Sequence, residues 1–263
     1  MNEFSLRFIN DTSLKGKVVL ITGATGGIGA AISKRFAELG SFVYMCDIKE
    51  TVDLAKKINK NFDDQRAIPA QFDISDKNRV EEMFQKIEKE KKKLDILINN
   101  AAIHGSGNFL EISYESFLRT IMIDLSGAMY CTLKALPYMK KNKWGRIIFT
   151  GAPLSSSGIP CPYLAGKSSF IGLAKYISEK YKEYDIRTFT LVLRHCDTPM
   201  IRKVMEARGK DINKAIKELN KKSKTGKMIT PKEVAEIYAY FCLAKSSKVN
   251  GLTLLSDGGI TYL

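Results

Sequence analysis

Histidine is nearly missing from this chain of 263 residues: only His104 and His195 occur. A His-rich metal centre is therefore excluded by supply, and no metal is expected. Cysteine is sparse and scattered. Cys46, Cys131, Cys161, Cys196 and Cys242 are odd in number, and none lies within four residues of another. That spacing argues against a disulfide framework or a zinc site and fits a reducing cytosol. Long apolar runs are missing too. Stretches such as Val18 to Ile21 fall far short of the ~20 residues that a membrane helix needs. Met1 to Leu14 is interrupted by Glu3, Asn10 and Asp11 and lacks the apolar core and cleavage site of a signal peptide. A cytoplasmic location without a membrane partner is expected. Acidic residues are few beside basic ones, 28 against 42, for a net charge of +14. Aromatic residues do not interleave with the lysines and no nucleic-acid motif occurs, so nucleic acid is not the expected partner. The excess reads as a solvated lysine surface.

What is present is a globular composition, 44% apolar and 27% charged. A chain of this length buries roughly three quarters of the surface its unfolded form exposes, so it needs no covalent staple. Apolar, β-branched runs predict seven strands: Val18 to Ile21, Phe42 to Met45, Ala67 to Phe72, Leu94 to Ile98, Arg146 to Phe149, Phe189 to Leu193 and Leu252 to Leu255. The runs are nearly continuous rather than alternating, as strands covered on both faces must be. Helical spacing lies between them. Ile28, Ile32, Phe36 and Leu39 repeat before Gly40. A long helix is predicted over Tyr114 to Lys141, with Pro137 kinking or breaking its last turns, and another from Pro162 to about Lys182. The alternation implies a doubly wound parallel α/β sheet with helices on both faces, in a single domain spanning 1–263.

Residues 201–227 break the rhythm, with ten basic residues against three acidic ones. An insertion after the sixth strand lies at the carboxyl end of the sheet, where ligand lids sit, and a basic lid is expected there.

Thr22-Gly23-Ala24-Thr25-Gly26-Gly27-Ile28-Gly29 directly follows the first strand and opens the first helix. Glycines at this junction let the chain turn, let backbone amides approach a pyrophosphate and let helix and strand pack closely. The helix N-terminus adds positive potential for phosphates. Asp47 ends the second strand, 18 residues after Gly29. A carboxylate there accepts from adenosine ribose hydroxyls and repels a 2′-phosphate, which favours NAD(H) and leaves NADP(H) possible beside Lys49.

The spacing Thr-Gly-x-x-x-Gly-x-Gly resembles the fingerprint of the short-chain dehydrogenase/reductase family, and five further landmarks follow in family order. Phe72-Asp73-Ile74 is similar to the segment whose Asp contacts adenine. Asn99-Asn100-Ala101-Ala102 is similar to the Asn-Asn-Ala-Gly motif. Tyr163-Leu164-Ala165-Gly166-Lys167 resembles the Tyr-x-x-x-Lys pair. Asp197-Thr198-Pro199-Met200 resembles the segment whose Thr contacts the nicotinamide amide. Ser256-Asp257-Gly258-Gly259 resembles the C-terminal turn. The resemblance covers roughly residues 14–260 and implies a Rossmann-like fold. It also implies a nicotinamide cofactor held by Gly23, Thr25, Gly27, Ile28, Gly29, Asp47, Ile48, Asp73, Ile74, Asn100, Ala101, Ala102, Tyr163, Lys167, Cys196 and Thr198.

Tyr163 and Lys167 share one helix face. A fixed cation favours phenolate and is expected to lower the Tyr163 pKa from its free value of ~10. Tyr163 would then exchange a proton with the substrate oxygen.

Four departures from the family pattern surround this pair. The catalytic Ser falls on Ala152 when counted forward from Gly145 and on Thr150 when counted back from Tyr163, with Ser155 as a nearby stand-in. Asp124 replaces the Asn that orders a relay water. Leu193-Arg194 replaces Pro-Gly, with His195 beside it. Ala102-Ile103-His104 replaces the glycine-bearing end of its motif. The expectation is an oxidoreductase that interconverts a small carbonyl and a secondary alcohol. Its catalytic set would be Tyr163, Lys167, Asp124 and either Thr150 or Ser155. The alternative is a retained nucleotide fold with altered or lost redox chemistry. The basic segment suits an anionic substrate or a carrier-bound acyl group. The family's usual homodimer or homotetramer assembles through its long helices. Here Phe117, Ile121, Leu125, Met129 and Leu133 form a four-residue-spaced stripe that faces either a second copy or the sheet.

Overall fold

A computed structural model describes residues 14–105, 109–153, 159–243 and 248–260. Seven strands form one sheet in the order β3-β2-β1-β4-β5-β6-β7. They are β1 (Val18–Thr22), β2 (Phe42–Asp47), β3 (Ala67–Gln71), β4 (Ile96–Asn99), β5 (Gly145–Gly151), β6 (Ile186–Leu193) and β7 (Leu252–Ser256). Every pairing is parallel. The helices are α1 (Gly27–Glu38), α2 (Val52–Asn59), α3 (Lys77–Lys91), α4 (Tyr114–Ile121), α5 (Ala128–Asn142), α6 (Cys161–Lys180), α7 (Pro199–Ala207), α8 (Ile212–Lys222) and α9 (Pro231–Cys242). A π-helical segment, Met122–Gly127, joins α4 to α5 without a break.

Each central strand sends alternate residues to opposite faces. Val19 and Ile21 of β1 join Ile32 and Phe36 of α1 and Val234 and Tyr238 of α9 in one core. Val18 and Leu20 join Phe84 of α3, Ala135 of α5 and Phe170 of α6 in the other. Both faces are dry, which is why the strand sequences read as continuous apolar runs. The order reverses between β1 and β4, so the loops after these two strands diverge and leave a crevice at the carboxyl edge of the sheet.

Two expectations gain detail. Pro137 lies inside α5 and does not end it; the helix runs on to Asn142. The segment 201–227 is mostly helical, formed by most of α7 and by α8. A small third core of Met205, Ala215, Leu219 and Met228 holds those helices together. Among the described residues, no helix is long and apolar enough to cross a membrane.

Candidate active site

The crevice is built first by Thr22. Its hydroxyl donates to Ile98 O across the sheet and accepts the backbone N–H groups of Asn100 and Ala101, at 3.0 and 3.1 Å. The Asn100 amide then donates to the carbonyls of Thr22 and Gly23, both at 3.1 Å. Four hydrogen bonds therefore lock the loop after β4 to the glycine loop. Gly23 has a positive φ of 67°. A Cβ there would stand 2.8 Å from Ala101 Cα, so the two loops meet this closely only because the residue is glycine. At Gly29 a Cβ would fall 2.1 Å from the Gly23 carbonyl oxygen, which closes the turn onto α1.

The start of α1 fits a diphosphate. Its N-cap is Gly26, no side chain caps it, and its first turn holds no acidic residue. The first amides of a helix have no partner within it and carry positive potential. Asp47 stands beside them, with Oδ2 accepting from the Thr25 N–H and hydroxyl at 2.9 and 2.8 Å and Oδ1 from the Lys49 N–H at 3.0 Å. Ile48 is exposed next to it. The Thr198 hydroxyl caps α7, and its Cγ2 would lie 3.0 Å from a Cβ on Gly27. The basic helical segment thus begins directly against the glycine loop.

Asp73 is already engaged. It accepts from the Ser75 N–H and hydroxyl and ion-pairs with Arg119 of α4. Arg119 and the Ser75 hydroxyl on these bonds hold its carboxyl below the usual range, against partial burial. Arg119 had no signal in the sequence, because nothing in the spacing of α4 points to residue 73. Ile74 is buried, and a Cβ on Gly127 would meet it at 2.8 Å, so it seats the π segment. Cys196 is buried and its backbone bridges to Ile229. Ala101 and Ala102 line the crevice half-buried.

On the other side of the crevice α6 brings Tyr163 and Lys167 to the loop after β4. Lys167 is fully buried, and its ammonium donates to Ala101 O at 3.0 Å. The π segment brings Asp124 beneath them. Asp124 is wholly buried; Oδ1 accepts the Ile103 N–H at 2.9 Å, and Oδ2 has no hydrogen-bond partner among the described residues. A Cβ on Gly166 would stand 3.0 Å from Asp124 Cβ, so glycine at this place lets α6 lie against the π segment. Burial pushes the Asp124 pKa up to about 6, opposed by the Lys167 charge and the Ile103 N–H. Burial pushes Lys167 down, opposed by Asp124.

The expected lowering of the Tyr163 pKa is not seen. Burial raises it, and the Asp124 charge raises it further. The physical reason is first the burial of the phenol, which disfavours its charged form, and second that Asp124 puts a negative charge where an Asn would be neutral. The Lys167 cation is offset by it and bonded to Ala101 O.

Thr150 does not reach into this side of the site. Its hydroxyl bonds the Tyr238 hydroxyl of α9 at 2.7 Å and donates to Asn100 Oδ1 at 3.3 Å. Its neighbours in β5, Ile148 and Phe149, lie on opposite faces, and Thr150 shares the Ile148 face, away from α6. Its role as the substrate-oxygen donor is corrected to one of bracing Asn100. Tyr238 completes that brace, and no sequence pattern distinguished it from an ordinary core residue. Ala152 is buried and carries no polar side-chain atom. Ser155 lies outside the described residues. His104 packs its ring against Tyr163, with centroids 5.1 Å apart and planes tilted by 39°. His195 is held at about 4 by burial first and by the Arg194 charge second, so it is neutral near pH 7.

A family model described as enoyl-(acyl carrier protein) reductase matches residues 23–261. The chain is 30% identical to meso-2,3-butanediol dehydrogenase of Serratia marcescens, over 93% of this chain and 94% of that one. Its fold matches ligand-free aldohexose dehydrogenase of Thermoplasma acidophilum, with TM-score 0.85, 28% identity and coverage of 95% and 96%. It also matches a 3-ketoacyl-(acyl-carrier-protein) reductase of Brucella melitensis complexed with NADH, with TM-score 0.83, 27% identity and coverage of 94% and 99%. The fold and the crevice define an oxidoreductase of the Rossmann type. The chain belongs to the short-chain dehydrogenase/reductase family.

Proposed function

We propose that this oxidoreductase interconverts a small ketone and a secondary alcohol, with Tyr163 as the proton-exchanging group. The observation that carries this reading is the convergence of Tyr163, Lys167 and Asp124 on the loop that Thr22 and Asn100 lock to the glycine turn. The α1 N-terminus would hold the cofactor's diphosphate, Asp47 its adenosine ribose and Thr198 its nicotinamide end. A bound nicotinamide dinucleotide supplies or accepts the hydride. The carboxylate of Asp47 repels a 2′-phosphate, so NAD(H) is favoured over NADP(H).

In the reducing direction Tyr163 gives its hydroxyl proton to the substrate oxygen; in the oxidising direction it takes that proton back. Lys167 holds this side of the site against the Ala101 carbonyl and supplies a positive charge to it. Asp124 is the buried end of the proton relay that recharges Tyr163. The phenol is protonated near neutral pH, the form that delivers a proton in carbonyl reduction. The segment α7–α8 acts as a lid over the cofactor. Its lysines steer an anionic substrate or a carrier-bound acyl group toward the mouth.

Tyr163→Phe tests the assignment. The variant is expected to bind NADH as the native chain does and to lose about 10²-fold or more in kcat, the usual worth of a positioned acid. Undiminished NADH-dependent ketone reduction by the variant would remove Tyr163 from the chemistry.

A further inference from the structure

Beyond Tyr163, the described pocket offers the substrate few polar side chains. Ala152 has none to give, and the Thr150 hydroxyl is bound to Tyr238 and Asn100. His104 stands in a different position. Its ring packs against the Tyr163 ring, with centroids 5.1 Å apart. Its Nδ1 lies 3.3 Å from the Gly105 carbonyl oxygen. A carbonyl only accepts, so Nδ1 carries the hydrogen and Nε2 presents a lone pair. That Nε2 has no partner among the described residues. The preceding Ile103 N–H is held by Asp124 Oδ1, so the carboxylate that underlies the Tyr163–Lys167 pair also fixes the loop carrying His104.

We infer that His104 is the substrate's second polar contact, an acceptor for a hydroxyl on the carbon next to the reacting one. The substrate class is then an α-hydroxy ketone and the corresponding vicinal diol. This rests on the Tyr163 assignment and extends it from reaction type to substrate class. The tyrosine hydroxyl addresses the reacting oxygen, and the neighbouring imidazole receives the hydroxyl one carbon away. The ring must stay neutral to accept. Burial and the nearby Arg208 charge both hold its pKa below the ordinary histidine value, and the Gly105 bond opposes them. The titratable or charged groups facing His104 are Tyr163 from α6 and Arg208 from the lid, with Asp124 beneath the loop.

The test compares acetoin with butanone as substrates of the full chain with NADH. The two ketones share a skeleton and differ by one hydroxyl beside the carbonyl. A hydrogen bond of this kind is expected to give acetoin an advantage of roughly tenfold or more in kcat/KM. His104→Ala is expected to bring that ratio down toward one, and His104→Gln, whose amide oxygen still accepts, to keep part of it. The advantage is also expected to shrink at acid pH, as the imidazole takes up a proton. A ratio near one in the native chain, or a ratio that His104→Ala leaves unchanged, would overturn the inference. So would turnover of neither ketone by a chain that binds NADH. Undiminished turnover in Tyr163→Phe overturns the proton-exchange assignment instead, so the two failures are distinct.

Discussion

Asp124 is an acid buried in the site, and its consequences can be signed. Its pKa rises from 3.8 to about 6 on folding. The folded chain therefore binds this proton more tightly than the unfolded chain. The stability it contributes is fully present below about pH 4 and is lost as the pH rises through about 6. At neutral pH the buried carboxylate is a burden. Asp124→Asn keeps an oxygen for the Ile103 N–H and removes the charge. The variant is expected to gain on the order of 2–3 kcal/mol at about pH 7.5, with the gain vanishing toward about pH 4. Urea unfolding at the two pH values checks this; equal gains at both would refute the buried-charge account. The same substitution removes a charge that opposes ionisation of Tyr163, so the alkaline rise of alcohol oxidation is expected to move to lower pH. At this scale the sequence was informative about identity and poor about partners. The Tyr163, Lys167 and Asp124 positions were legible because spacing and motif carry them. The loss of Thr150 to Tyr238 and the capture of Asp73 by Arg119 were not. Both depend on contacts between residues far apart in the chain, where no local period exists.

At the scale of elements, all seven strands were legible: β1, β4 and β5 are dry on both faces and leave a continuous apolar run, and the edge strands β3 and β7 keep such a run although partly exposed. The edges moved where burial outlasts the run: β5 extends through Thr150 and Gly151, and β6 starts at Ile186. The π segment Met122–Gly127 was invisible. Its turn is only slightly wider than an α-turn, so the apolar repeat crosses it without a gap. It nevertheless carries Asp124 into the site. The helices α7 and α8 were legible only as a charged interruption. Their apolar side is short and closes on the small core of Met205, Leu219 and Met228 rather than on the sheet.

At the scale of the molecule, the stripe on α4–α5 is settled in direction. Phe117, Met129 and Leu133 are exposed, and Leu133 is 56% accessible. Ile121 and Leu125 are half-buried beside them. Tyr114, Leu118 and Met122 extend the apolar surface on the same helical run. An exposed apolar surface of this kind marks a protein contact, and a second copy is the occupant proposed here. Leu133→Asp is expected to shift the chain toward monomer in sedimentation at micromolar concentration while the fold is retained. A native chain that is already monomeric there would refute the assembly.

The two halves of the sheet meet where the loop after β4, which also holds Lys167, is locked to the glycine loop, and cofactor binding tests that crevice most directly. Calorimetric titration of the chain with NADH and with NADPH is the measurement. The account predicts saturable binding of NADH and binding of NADPH weaker by about tenfold or more, the cost of setting a phosphate against the Asp47 carboxylate. Tighter binding of NADPH would contradict the role of Asp47. Binding of neither would contradict the assignment of the crevice as a nicotinamide site.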